Sequence, residues 1–387
     1  MSKHFDAIVV GAGILGSSTA YHCRKLGLKT LQLEQYNLGH WHGSSHGMSR
    51  ITRLVHVDAP YVPVVQDSYK QIAEFEKKRG EKLWGNTGLV WVADPDTIDH
   101  ISTTAKKSGL EHEVFGGEEI NQRYPQMTYD NTWKALYDPM GGMIYPEKWL
   151  RTYQEEYRAL GGIVHEDETF IEVTEDGEIT TIRTNKDTYT CRRTILCVGT
   201  WLQTVFPDIA NLTQLQPQRV CVAYWKPKDP KDLPLFSQEK MPVVIIEDRR
   251  TGEEAFALPT RDYPDAIKYC KYFGDAFNIG DAEKDPESVN LEEPRKHLSQ
   301  HFPQIDATEP AHVDKCKYTV SADHHYIFDW HPKFNNVLVG SGCCGSGFKV
   351  SPGFGRALAH LLAGQESPFD LSMFSLKRFT DGSVKKH

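Results

Sequence analysis

The feature that most restricts what this chain can fold into is Gly11-Ala12-Gly13-Ile14-Leu15-Gly16, which follows an apolar run at residues 5–10. From Ile14 to Leu26 apolar residues recur at helical spacing, and residues 29–34 read as a second strand. Strand, glycine turn, helix and strand make one βαβ unit, the element of a parallel sheet. Glycines serve such a turn by allowing a tight reversal, by letting backbone approach a pyrophosphate, and by exposing a helix N-terminus whose amides face its charge. Glu34 ends the second strand about twenty residues on, where a carboxylate accepts from ribose hydroxyls, and Gln35 follows it. Gly11, Ala12, Gly13, Ile14, Gly16, Glu34 and Gln35 are therefore candidate nucleotide-binding residues. The competing reading is a structural glycine turn with an exposed glutamate.

The motif alone does not choose between nicotinamide and flavin dinucleotides. A second glycine loop, Gly340-Ser341-Gly342-Cys343-Cys344-Gly345-Ser346-Gly347, precedes a helix near the C-terminus, so its amides can reach an extended cofactor from the other end of the chain. This favours FAD and adds Gly342, Gly345 and Gly347 to the candidates. Residues 43–53 gather small residues and hydroxyls (Gly43, Ser44, Ser45, His46) with two arginines three apart, Arg50 and Arg53. Two cations on one side of a turn can hold a carboxylate or face a flavin; read alone, surface charges are the commoner case.

At 387 residues the chain suits two domains. The expected architecture is α/β: a discontinuous Rossmann-like FAD-binding domain of the glutathione-reductase type (residues 1–85, 145–215 and 316–387), and a substrate domain with a mixed or antiparallel sheet (86–144 and 216–315). The second part rests on strands split by charged, proline-containing loops such as Lys226-Pro227-Lys228-Asp229-Pro230-Lys231. Helices are expected near residues 61–78, 147–160 and 353–362, strands near 88–93, 194–198 and 336–340, and a loop up to Lys349. A net charge of −8 argues against nucleic acid or an anionic membrane as partner. No apolar run is long enough to span a bilayer, and no signal peptide is read at the start. Eight scattered cysteines without CxxC pairs point to reduced thiols and an intracellular setting, and no metal ligands are assigned.

Dispersed motifs carry a resemblance over nearly the whole chain. Gly11 to Gly16, residues 43–53, Cys197-Val198-Gly199-Thr200-Trp201, Leu215-Gln216-Pro217, Cys316-Lys317-Tyr318-Thr319, Phe328-Asp329-Trp330-His331-Pro332 and Gly345-Ser346-Gly347-Phe348-Lys349 resemble, in order, the monomeric sarcosine oxidase family and its peroxisomal sarcosine/L-pipecolate oxidase branch. The resemblance implies FAD bound covalently through the Cys316 sulfur and a carboxylate clamp of Arg53 and Lys349. It also implies Arg50 near the flavin, Tyr318 lining the pocket, and Lys268 assisting oxygen reduction, where a cation stabilises developing superoxide. It further implies a monomer acting on a small amino acid with O2, and a peroxisomal location, with the cytoplasm as alternative. The C-terminal Lys385-Lys386-His387 does not match the SKL signal.

Three positions depart from the family pattern. Ser346 stands where a histidine is common, Phe256 where a tyrosine is expected, and Tyr272 where a histidine is expected. The implied reaction is oxidation of a secondary or N-methyl amino acid, of the sarcosine, L-pipecolate or L-proline type, to an imine, with O2 reduced to H2O2. No strong general base is evident. The alternatives are a deglycating oxidase for fructosyl-amino acids, an amine dehydrogenase, and a flavoprotein without turnover.

Overall fold

Strand His4–Val10 is apolar and buried at most positions, as a strand covered on both faces must be. It sits centrally in a parallel sheet, described by a computed structural model that covers residues 3–250, 252–281, 291–382 and 384. The parallel strands run in the order Ile163–His165, Thr30–Leu33, His4–Val10, Thr188–Leu196 and Val337–Ser341. Ile327–Trp330 pairs antiparallel to the last strand. The hairpin Phe170–Asp176 and Ile179–Thr184 extends the first half of Thr188–Leu196. The sheet is thus assembled from three distant stretches of chain.

Helices Ile14–Lys25, Tyr61–Arg79, Pro146–Ala159 and Gly347–Leu362 share one apolar core with this sheet. Each fully buried aliphatic or aromatic side chain there contributes roughly 1.5–3 kcal/mol. The last helix corrects the expectation of a loop through Lys349, because it starts at Gly347 and includes Lys349 in its first turn. Pro352 lies inside this helix and Gly353 and Gly355 are weak helix formers, yet packing overrides their propensity. A Cβ on Gly353 would lie 2.4 Å from the Val64 carbonyl oxygen, and one on Gly355 would lie 2.3 Å from Ser18 Oγ. Ser18 Oγ donates to the Ser351 carbonyl at 2.8 Å and Ser68 Oγ accepts from the Gly353 amide at 3.1 Å, so hydroxyls seal both crossings.

The second sheet runs Asp275–Ala276, Gln216–Trp225, Ile267–Lys271, Glu253–Leu258, Val243–Asp248, Leu89–Ala93, Lys134–Asp138 and Glu113–Gly116. Leu89–Ala93 and Val243–Asp248 are parallel, and the other described pairs are antiparallel. His312–Val320 pairs with residues 216–224 of strand Gln216–Trp225. A domain boundary at 315/316 therefore cuts a strand, and Cys316 lies on the second sheet rather than the first. The two-residue period gives this sheet two distinct faces. Ala255, Ala257 and Tyr269 pack with Leu298 and Phe302, whereas Trp91, Ile245 and Leu258 join a separate core with Phe256.

A small sheet of Arg50–Thr52, Gly142–Ile144 and Trp84–Gly85 carries the arginine-bearing segment. No helix among the described residues is long and apolar enough to cross a membrane.

Candidate active site

A cleft of about 270 Å³ opens where the parallel strands end. Gly11, Ala12, Gly13, Ile14, Glu34, Gln35, Gly43, Ser44, Ser45, Arg50, Tyr318, Gly342, Gly345 and Gly347 all line it. Segments at residues 11–15, 34–45 and 340–347 thus meet around one elongated space, although they are far apart in sequence. Gly11 has φ +101° and a Cβ there would lie 2.4 Å from the Cys197 carbonyl oxygen, so only glycine closes this turn. Ser45 Oγ accepts from the Ile14 amide at 3.1 Å at the start of the first helix. Glu34 is buried at 6 % exposure; its Oε2 accepts from the Ala12 amide at 2.8 Å, which holds the carboxylate against the glycine turn. These features fit a dinucleotide whose pyrophosphate lies over the turn and whose ribose reaches Glu34.

Two predicted residues, Gly16 and His46, line neither this cleft nor the smaller cavity beside it. A Cβ on Gly16 would meet the Gly11 carbonyl oxygen at 2.1 Å, so this glycine serves the packing of helix on turn. The His46 imidazole engages the Gly43 carbonyl at 2.7 Å and the Lys315 carbonyl at 2.9 Å, tying its loop to the strand that carries Cys316.

Arg50, Tyr318, Gly345 and Phe348 line both this cleft and a smaller adjoining cavity of about 70 Å³. The cavity also receives Arg53, Lys268, Cys316 and Lys349, and its apolar wall includes Val222, Ile245, Phe256 and Leu258. Lys349 is 4 % exposed and its ammonium donates to the Ser346 carbonyl at 3.0 Å. Burial, reinforced by the Arg53 charge, holds its pKa well below the usual lysine value. The Arg53 guanidinium lies over the Trp91 ring at 4.4 Å and donates through Nε to the Val55 carbonyl at 3.1 Å. Among the described residues, neither cation has a carboxylate within 4.0 Å. A buried ammonium beside a second cation, with no carboxylate in contact, is costly unless an anion joins them.

Arg50 is held by its own loop, donating to the Ser49 carbonyl at 2.7 Å and the His46 carbonyl at 2.6 Å, with Nη2 3.9 Å from Cys316 Sγ. Lys268 is also buried, but it is paired: its ammonium lies 3.0 Å from Asp262 Oδ1 and 2.5 Å from Ser49 Oγ. Burial lowers the Lys268 pKa against the opposing pull of Asp262. Burial also resists ionisation of Asp262, yet the Lys268 charge and hydrogen bonds from Ser49, Lys268 and Tyr224 outweigh it and hold the carboxyl below the usual range.

The three departures from the family pattern converge here, since Phe256, Tyr272 and Ser346 all line the small cavity. The Ser346 hydroxyl pairs with Tyr326 Oη at 2.6 Å. Sequence reasoning missed Asp262, Ser49 and Tyr326 as partners. Asp262 lies six residues before Lys268 across a hairpin-type turn after Leu258-Pro259-Thr260, which is the one signal that pointed to it.

The comparisons with known proteins agree with this geometry. A family model described as FAD dependent oxidoreductase (DAO) matches residues 6–361. A Caenorhabditis elegans protein provisionally named a sarcosine oxidase is 43 % identical over 99 % of this chain and 100 % of its own length. Mouse peroxisomal sarcosine oxidase is 31 % identical over 97 % of this chain and 96 % of its own. The structure of L-proline dehydrogenase from P. horikoshii superposes with a TM-score of 0.82 over 100 % of both chains, at 17 % identity, a likeness of fold. With the glycine cradle, the buried Glu34 and these relatives in agreement, the chain belongs to the DAO family of FAD-dependent oxidoreductases and, within it, to the sarcosine oxidases.

Proposed function

We propose that this enzyme oxidises a small secondary or N-methyl amino acid to the imine and reduces O2 to H2O2. The observation that carries the proposal is a pair of cations, the buried Lys349 and the half-buried Arg53, facing a small cavity beside the cofactor cleft. A substrate carboxylate supplies the missing anion and fixes the rest of the molecule against the apolar wall of Val222, Ile245 and Phe256. The cavity volume of about 70 Å³ favours a small amino acid over a sugar-modified one. No carboxylate or imidazole is among the described residues lining it. The surrounding cations instead disfavour a protonated amine, so the substrate is held with its nitrogen lone pair available. Bound FAD would supply the redox chemistry, accepting the hydride of the substrate C–H bond with its two electrons, which would then go to O2.

Gly11, Gly13, Glu34, Ser45, Gly342 and Gly345 are the residues that would hold FAD, and Cys316 the one that would bind it covalently. Lys268, kept in place by Asp262 and Ser49, would stabilise negative charge on the oxygen being reduced. Tyr318, whose hydroxyl is held protonated by burial and by the neighbouring Cys316, forms the wall between cleft and cavity. The name of the mouse relative supports a peroxisomal location; Lys385-Lys386-His387 lies outside the described residues.

Anaerobic titration of the yellow holoenzyme with sarcosine, L-pipecolate and L-proline tests the substrate class. At least one should bleach the flavin, and air should restore the colour with one peroxide per imine. Bleaching by fructosyl-amino acids alone, or recolouring too slow for an oxidase, would overturn the reading. Lys268→Met should leave anaerobic bleaching within a few-fold of wild type. Its reoxidation by O2, followed by stopped flow, should slow by roughly 10²–10³-fold, the usual loss when one preorganised charge stabiliser is removed. Unchanged reoxidation would remove Lys268 from the oxygen reaction.

A further inference from the structure

On the back of the second sheet, away from the small cavity, Glu253, His297 and His301 each place one ligating atom within 4.8 Å of the other two. His297 and His301 stand four apart on helix Glu292–His301 and so share one face, a spacing that presents two imidazoles to one ion. Glu253 comes from the strand opposite, with Oε2 3.0 Å from His297 Nδ1. His301 Nδ1 is engaged by the Thr128 carbonyl at 2.7 Å, and His297 Nε2 lies 3.4 Å from Tyr129 Oη. A backbone carbonyl on the second ring nitrogen is the arrangement that orients a metal-ligating histidine. It leaves His301 Nε2 with its lone pair.

A second observation points the same way. Tyr269, stacked on His297 with ring centroids 5.7 Å apart, has a fully buried hydroxyl without a hydrogen-bond partner among the described residues. A buried orphan of this kind is rare and costly. Water carried in by a bound ion is the kind of partner such a hydroxyl lacks. The aromatic rings of Tyr129, Trp133 and Tyr269 pack around the imidazoles, while Glu253 and His301 are only partly buried.

We propose that Glu253, His297 and His301 form a binding site for a divalent transition ion of the Zn²⁺ type, with water as the remaining ligand. The ion has no part in the redox chemistry. It fastens helix Glu292–His301 to the back of strands Glu253–Leu258 and Ile267–Lys271, whose other face presents Phe256, Leu258 and Lys268 to the cavity. The assignment adds a site where the sequence reading found no metal ligands.

The test uses tag-free holoenzyme stripped with chelator and titrated with Co²⁺ and Zn²⁺. One equivalent of Co²⁺ should give a ligand-field band at wavelengths beyond the flavin absorption, Zn²⁺ should displace it, and Zn²⁺ should raise the melting temperature. His301→Asn and, separately, Glu253→Gln should weaken Zn²⁺ binding by more than the ~10–100-fold that a lost outer-shell partner costs. Flavin content and far-UV circular dichroism identify a variant that has failed to fold, and the other then decides. Absence of stoichiometric binding to wild type, or binding that survives both substitutions, overturns the proposal.

Discussion

Lys349→Met is expected to lower kcat/KM for the amino-acid substrate by about 10³-fold, the loss that follows when one partner of a buried, hydrogen-bonded charge pair is truncated. The same change should raise the stability of the folded chain by about 1–3 kcal/mol, because it removes a desolvated cation and leaves a side chain of similar length. Both effects have one origin. Lys349 is buried with Arg53 as a neighbour and without a carboxylate, so it is poorly solvated until a substrate anion arrives. Proton linkage gives an independent sign. The folded-state pKa is lowered, so between that value and the ordinary lysine value of 10.5 the unfolded chain binds more protons than the folded one. Stability should therefore rise with pH through that window in wild type, and this contribution should be missing from Lys349→Met. Steady-state kinetics and melting temperatures from neutral to alkaline pH measure all three quantities. A variant that is less stable than wild type at neutral pH, or that retains kcat/KM within tenfold, would sink this account.

Cys316→Ser should abolish acid-stable flavin: the wild-type precipitate stays yellow, whereas the variant releases its FAD into the supernatant. Three cysteines line the two connected spaces, Cys197 and Cys343 in the cleft and Cys316 in the small cavity. Burial pushes the Cys343 thiol up to about 12 and that of Cys197 well above its usual value, which suppresses the nucleophilic thiolate at both. Cys316 Sγ instead has the Arg50 guanidinium 3.9 Å away. Cys343→Ser should therefore keep its yellow pellet and serves as the control. Loss of the attached flavin in Cys343→Ser with retention in Cys316→Ser would move the link to the other thiol. Free FAD in wild type would remove the link altogether.

The first βαβ unit was legible because its signals are local. An apolar run, glycines at fixed offsets and a 3.6-residue period lie within one short stretch, and the turn at Gly11 admits no other residue. Arg53, Lys349 and Cys316 were reached through motif order, and the fold brings all three to one cavity. The helix around Lys349 was misplaced because Pro352 and Gly353 are poor helix formers. What carries the helix through them is the close approach of Val64 and Ser18, from helices some 290–340 residues earlier in the chain.

The sequence by itself determined the glycine turn between the first strand and the first helix, the carboxylate at the end of the second strand, and the family. Tertiary structure alone decided that Lys268 is held by Asp262 and Ser49, that Ser346 pairs with Tyr326, and that Glu253 meets His297 and His301. The physical reason is the range of the interactions. A helix period or a glycine turn is written in neighbouring residues, whereas the pairing of Cys316 with Val220, and of Lys268 with Leu258 and Tyr224, depends on strand register. That register is set by which faces the whole sheet buries, and no short window of sequence contains it.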